Sequence, residues 1–187
     1  MEEYWDKAVS YETYKKNAEE RILNPANDEE GEKKGYYELG LQRMHRMEKV
    51  FKPSAEDLES LESKNFEGKI LIITEAWCGD ASQAVPVIDA FFKDKNEVKI
   101  FYRDSDHSLI DQFLTNGAQG IPIVILLNED FSVKNSWGPR PKYGKELLKK
   151  FKENPETYSR EAFYSDLQVY YSKNRGKDTL DEILNLL

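Results

Sequence analysis

The chain predicts an α/β fold: a mixed β-sheet flanked by helices, with helical extensions at both ends. Three observations carry this expectation. Short apolar runs, Ile70–Ile73 and Ile121–Leu127, alternate with helix-like stretches through the middle of the chain. The strand–helix–strand order in the first half of that region requires a parallel crossover. A three-residue turn, Asn128-Glu129-Asp130, then joins two later strands as an antiparallel hairpin.

Residues 4–23 predict a helix from Trp5, Val9, Tyr14, Ala18 and Ile22, at mixed spacings of four and five. Asn24–Gly35 lacks any sizeable apolar residue and reads as a mobile loop. Tyr37, Leu41, Met44, Met47 and Phe51 then form a cleaner amphipathic stripe. Ser54 is the expected N-cap of the next helix, with Asp57 at the capping-box position and Leu58 and Leu61 as its apolar residues. Lys69–Thr74 reads as a buried strand, Asp80–Phe92 as a helix facing Val85, Ile88 and Phe92 inward, and Val98–Tyr102 as an alternating strand. A short helix is expected over Asp106–Thr115, strands over Pro122–Leu127 and Phe131–Trp137, and a helix over Pro141–Lys152. Two more helices, near 155–173 and 178–187, complete the chain. The expected division is an N-terminal helical extension (1–53), a central domain (54–152) and a C-terminal helical extension (153–187).

Composition narrows the function classes. Net charge is −8, from 27 basic and 35 acidic residues, and no long basic stretch occurs. Nucleic acid and anionic membranes are therefore disfavoured as partners. The apolar runs are too short to span a bilayer, and the N-terminus has no signal-peptide character. One cysteine excludes an internal disulfide. The expectation is a soluble cytoplasmic protein.

That cysteine, Cys78, is the most informative residue. The apolar strand breaks off at Trp77-Cys78-Gly79-Asp80-Ala81, where a helix pattern begins. A sulfur at a helix N-terminus faces unpaired N–H groups and the positive end of the helix dipole, both of which favour thiolate. Asp80 has two readings: an ordinary first-turn acid, or a proton donor. Its carboxylate, joined by Glu75, opposes the dipole by repelling a thiolate. The direction of the net shift does not follow from the sequence.

These residues resemble the thioredoxin superfamily. Trp77-Cys78-Gly79-Asp80-Ala81 stands where that family has Trp-Cys-Gly-Pro-Cys, and Pro86, eight residues after the thiol, matches the proline that kinks its active-site helix. Gly120-Ile121-Pro122 resembles the family's cis-proline segment, 44 residues beyond Cys78, and Gly138 matches a glycine bordering the active site. The likeness covers roughly residues 54–152. A closer likeness is to bacterial thioredoxin-like proteins with Trp-Cys-Gly-Asp-Ala, a Gln83-to-Pro86 spacing and a late Trp137-Gly138-Pro139-Arg140-Pro141.

The resemblance implies a thioredoxin-like fold and a site at Cys78, supported by Trp77, Gly79, Asp80, Ile121, Pro122, Gly138 and Arg140. Two departures matter. Ala81 replaces the resolving cysteine, and Ile72 stands where thioredoxins bury an acid that moves that cysteine's proton. Dithiol reduction is thereby disfavoured. Monothiol exchange on mixed disulfides or small thiol adducts is the expected activity, with a small thiol or protein disulfide as substrate. The alternative is a non-catalytic module holding a peptide or small anion at the cis-proline groove.

Arg140, between two prolines, is either an anion contact or a structural ion-pair partner. Arg103 and Asp104 end a parallel strand, where binding crevices form, but pairing and helix capping are the leading account of them. His45 and His107 have no ligand-spaced partners, so neither a metal nor any other cofactor is expected. Tyr158, Ala162, Phe163, Tyr170 and Tyr171 read as helix packing, with a partner surface as the alternative.

Overall fold

The computed structural model describes residues 1–187. Its centre is a four-stranded sheet in the order β2-β1-β3-β4, formed by β1 (Lys69–Thr74), β2 (Val98–Tyr102), β3 (Ile123–Leu127) and β4 (Val133–Trp137). β1 pairs parallel with β2 and antiparallel with β3, which pairs antiparallel with β4. The mixed sheet read from the sequence is therefore present. β1 and β3 are apolar almost throughout because both lie inside the sheet and are covered on both faces.

The parallel crossover is α6 (Ala81–Phe92), buried over nearly its whole length, which explains its lack of a polar stripe. On the N-terminal side lie α1 (Glu2–Lys7), α2 (Tyr11–Leu23), α3 (Asp28–Glu32), α4 (Lys34–Val50) and α5 (Ala55–Lys64). A four-residue helix, α7 (His107–Ile110), follows β2 after one 3-10 turn. The C-terminal helices are α8 (Lys142–Glu153), α9 (Arg160–Asn174) and α10 (Lys177–Leu184). No helix is long and apolar enough to cross a membrane.

Tyr14, Tyr37, Met44 and Met47 join Ile70–Ile73, Ile88 and Leu126 in one continuous core. α9 differs: Phe163, Leu167 and Tyr171 pack with Leu147 and Tyr158 in a separate small cluster. The aromatic stripe of that helix is thus helix packing in the main, although Tyr164 is left exposed.

Several local expectations are corrected. The single helix over 4–23 is two, because Val9 leaves the helix to pair with Ile100 at the edge of β2, with N···O distances of 2.9 and 2.8 Å. Asn24–Gly35 is not a loop: the Asn27 side chain caps α3, and Glu30 meets Arg21 at 3.2 Å. Ser54 and Asp57 form the expected capping box on α5, but Leu58 is exposed and only Leu61 enters the core. The helix over Asp106–Thr115 shrinks to α7, capped by Asp106.

Candidate functional site

The site begins where β1 runs out. Cys78 donates its N–H to the Glu75 carbonyl at 3.0 Å, and its own carbonyl accepts from Ser82 N at 3.1 Å, the first turn of α6. The thiol is therefore presented at the head of a helix of twelve residues. Ile73 pairs with Ile123 across the β1–β3 ladder, which brings the segment before β3 alongside the loop after β1. In consequence the Sγ of Cys78 lies 3.5 Å from the carbonyl oxygen of Ile121, and the Ile121–Pro122 peptide is cis.

Gly138 closes the site from the next strand. Its φ is +139°, and a Cβ there would sit 2.2 Å from the Pro122 carbonyl oxygen, so only glycine fits. The following Gly138–Pro139 peptide is also cis, a feature the sequence reading did not include. That turn sends Arg140 back toward α6.

Cys78 is buried, with 8% of its surface exposed. Burial, with the Asp80 carboxylate as the second cause, pushes its thiol up to about 12. Backbone N–H groups of Ala81 and Asp80, and the Arg140 guanidinium, pull in the opposite direction but are outweighed. Helix-start geometry therefore stabilises the thiolate less than desolvation penalises it. At neutral pH the resting sulfur is a thiol.

Asp80 occupies the N-cap position of α6 yet makes no capping bond. Its carboxylate turns instead to Arg140, whose Nε donates to Oδ2 at 3.0 Å and whose Nη2 meets the same oxygen. Oδ1 accepts from the Tyr171 hydroxyl at 2.6 Å. Asp80 stands at the helix start, as one of its two readings had it, but its carboxylate serves a buried ion pair rather than a cap. Arg140 is spent on that pair. Arg43, on α4, approaches from the other side: a Cβ on Gly79 would come within 3.0 Å of its Nη1. Burial lowers the proton affinity of Arg43, while Asp80 and Cys78 raise it.

The loop also carries Glu75, buried at 2% exposure, whose Oε1 accepts from Asp104 N at 2.8 Å. Burial raises its proton affinity. Trp77 is half-buried, with Lys33 and Arg103 placed over its ring at 5.5 and 5.1 Å. Arg103 pairs with its neighbour Asp104 at 2.7 Å, as one of the two sequence readings had it.

Trp77, Cys78, Gly79, Asp80, Ile121, Pro122, Gly138 and Arg140 thus converge on one end of the sheet. Sequence reasoning missed Tyr171, Arg43 and Glu75 as parts of it. Tyr171 was visible only as one aromatic in a packing stripe. Arg43 had a signal, since it stands next to the apolar face of α4. Glu75 was weighed only as a source of repulsion.

With this geometry in view, the chain belongs to the thioredoxin family: a thioredoxin family model matches residues 27–152. No curated protein matches the chain. Among solved structures, an HIV epitope-scaffold is similar at a TM-score of 0.64 and 16% identity, covering 98% of this chain and 94% of its own. A protein of unknown function, PA1234 of Pseudomonas aeruginosa, is similar at a TM-score of 0.60 and 16% identity, covering 97% and 92%. At that identity the two structures speak for the fold alone.

Proposed function

We propose that this thioredoxin-family chain performs monothiol exchange through Cys78. The carrying observation is the placement of its sulfur at the head of α6, 3.5 Å from the Ile121 carbonyl beside cis-Pro122. An extended disulfide substrate laid along residues 120–122 would meet that sulfur directly.

The steps balance without an internal partner. Cys78 loses its proton, and the thiolate attacks one sulfur of a disulfide. The substrate S–S bond breaks, a new S–S bond to Cys78 forms, and the departing thiolate takes up a proton. A second, small thiol then attacks the mixed disulfide as its thiolate and regenerates Cys78. No atom of Ala81 or Ile72 is required, which accords with the loss of both family groups. A thiol that rests protonated reacts only when the site opens to water, so exchange is slow in the resting state and accelerates with opening. The cytoplasm, rich in small thiols, suits such a cycle.

Burial of the sulfur favours a second reading, a non-catalytic module holding a peptide at the cis-proline groove. One experiment separates them. The protein is incubated at pH 8 with oxidised glutathione and weighed intact by mass spectrometry, then treated with excess reduced thiol. Exchange gives a mixed disulfide that Cys78→Ser abolishes and that added thiol removes. Absence of any adduct over hours leaves the binding reading in place.

A further inference from the structure

A second feature lies beside the site loop, built jointly by the N-terminal helices and by the residues that follow β1 and β2. A cavity of about 560 Å³ opens at the carboxyl ends of β1 and β2, beneath α2, α3 and α4. Its size is that of a small-molecule site, and its wall includes Trp77, the residue before Cys78.

Its wall carries charges of both signs. Glu75 lies innermost, and its Oε2 is met only by a long 3.4 Å contact from Arg21. Arg21 is itself divided, since its Nε also faces Glu30 at 3.2 Å and its Nη1 donates to the Tyr37 hydroxyl at 3.2 Å. A carboxylate offers about four acceptor sites, so a buried Glu75 with two used has room for a cationic donor. Aromatic rings of Tyr37, Tyr102 and Trp77 line the same space, but Arg21, Lys33 and Arg103 already lie over them, which leaves the Glu75 carboxylate as the anchor for an added cation.

Two cations flank the indole in the same wall. Lys33 and Arg103 bracket Trp77. Their acid partners are loosely held: Glu29 is 79% exposed at its side chain and Asp104 37%. Surface pairs of that kind contribute little, so a ligand carboxylate replaces them at small cost.

We infer that this cavity binds a small zwitterionic thiol by its amino-acid head, the ammonium on Glu75 and the carboxylate on Lys33 and Arg103. Cys78 is not in the cavity wall, so such a ligand reaches the sulfur past Trp77 only when the site opens, and it then supplies the small thiol that clears the mixed disulfide. The sulfur's fate rests on the exchange reading; the binding of the head does not.

Thiol-blocked probes keep the two apart. S-methyl-L-cysteine and S-methylglutathione are titrated into the full chain and into Cys78→Ser by calorimetry. Saturable binding is expected for both proteins. 3-(Methylthio)propionate, which lacks the ammonium, and S-methylcysteamine, which lacks the carboxylate, should bind about ten-fold more weakly or worse. Lys33→Ala, at a partly exposed position outside the core, should weaken the zwitterions and spare S-methylcysteamine. Glu75→Gln should do the converse for the ammonium, and the analogue series carries that point if the buried change fails to fold. No saturable binding up to about 10 mM, or equal affinity for all four probes, overturns the inference. Binding without any Cys78 adduct would sink the exchange reading and leave this site standing; an adduct without binding would do the reverse.

Discussion

The hydroxyl of Tyr171 donates to Oδ1 of Asp80 at 2.6 Å, tying the C-terminal helix α9 to the residue two positions after the thiol. Because the apolar residues of α9 form a cluster apart from the main core, polar contacts do much of the fastening. Arg46 Nη2 adds one, donating to the Ser172 carbonyl at 3.2 Å. Tyr171→Phe keeps the ring and removes the bond, leaving a buried carboxylate oxygen without its partner. Stability should fall by about 1–3 kcal/mol. The informative readout is local: hydrogen exchange should rise in α9 before it rises in β1 or β3, and Cys78 alkylation should quicken. Unchanged exchange in α9 would show that this bond does not hold the helix down.

Asp80 and Arg140 act on the sulfur with opposite signs, so their substitutions should diverge. Asp80→Asn removes the negative charge that helps push the thiol up to about 12. The alkylation midpoint should move down and the rate at neutral pH should rise. Arg140→Ala leaves Asp80 unneutralised beside Cys78, so alkylation should slow. It should also cost about 3–5 kcal/mol, the usual penalty for stranding a buried charge. Rates followed against pH for the two variants check both directions, and a shift of the same sign in both would remove the pair from the sulfur's electrostatics.

How much of this was readable in advance depends on sequence distance. The strand Lys69–Thr74 and the capping box of Ser54 and Asp57 are written in contiguous residues, and each is where the sequence put it, whereas the turn expected at Asn128–Asp130 extends to Ser132 and delays β4 to Val133. Trp77, Asp80, Pro122, Gly138 and Arg140 were legible through family spacing. The bond from Tyr171 to Asp80 was not, since it links an ordinary packing stripe to a residue in another element. The helix over 4–23 failed for a similar reason: Val9 is taken by the edge of β2, which lies about ninety residues away. In Asn24–Gly35 the polar composition reads as a mobile loop, yet its acids are what Arg21 and Lys33 pair with. Burial of the thiol, which sets its protonation, follows from packing between elements that no local pattern encodes.

Gly40 fixes how closely α4 approaches the site loop. A Cβ there would stand 2.5 Å from the Ala76 carbonyl oxygen, which is backbone and cannot step aside. Gly40→Ala should therefore destabilise by about 1–3 kcal/mol despite alanine's better helix propensity. Gly35, on the same helix, has nothing within 4 Å of its would-be Cβ. Gly35→Ala should be neutral or stabilising by up to about 1 kcal/mol. Equal effects from both, read from denaturant midpoints, would mean that α4 and the loop after β1 are not in close contact.

The thiol should also make stability depend on alkaline pH. In the folded chain Cys78 keeps its proton up to about 12, because burial and Asp80 disfavour the thiolate. In the unfolded chain it ionises near the ordinary value of about 8.5. Between those values the unfolded state binds fewer protons than the folded one, so unfolding becomes easier as pH rises. The contribution is fully present below about 8.5 and is lost progressively toward about 12. The tyrosines with raised proton affinity, among them Tyr14 and Tyr171, add an effect of the same sign. Cys78→Ala isolates the sulfur, since it retains those tyrosines and has no thiol to ionise. The stability advantage of the parent chain over Cys78→Ala should therefore shrink steadily as pH is raised from about 8 to about 11, measured by urea unfolding under reducing conditions. A difference that stays constant across that window would mean that folding leaves the proton affinity of Cys78 unchanged.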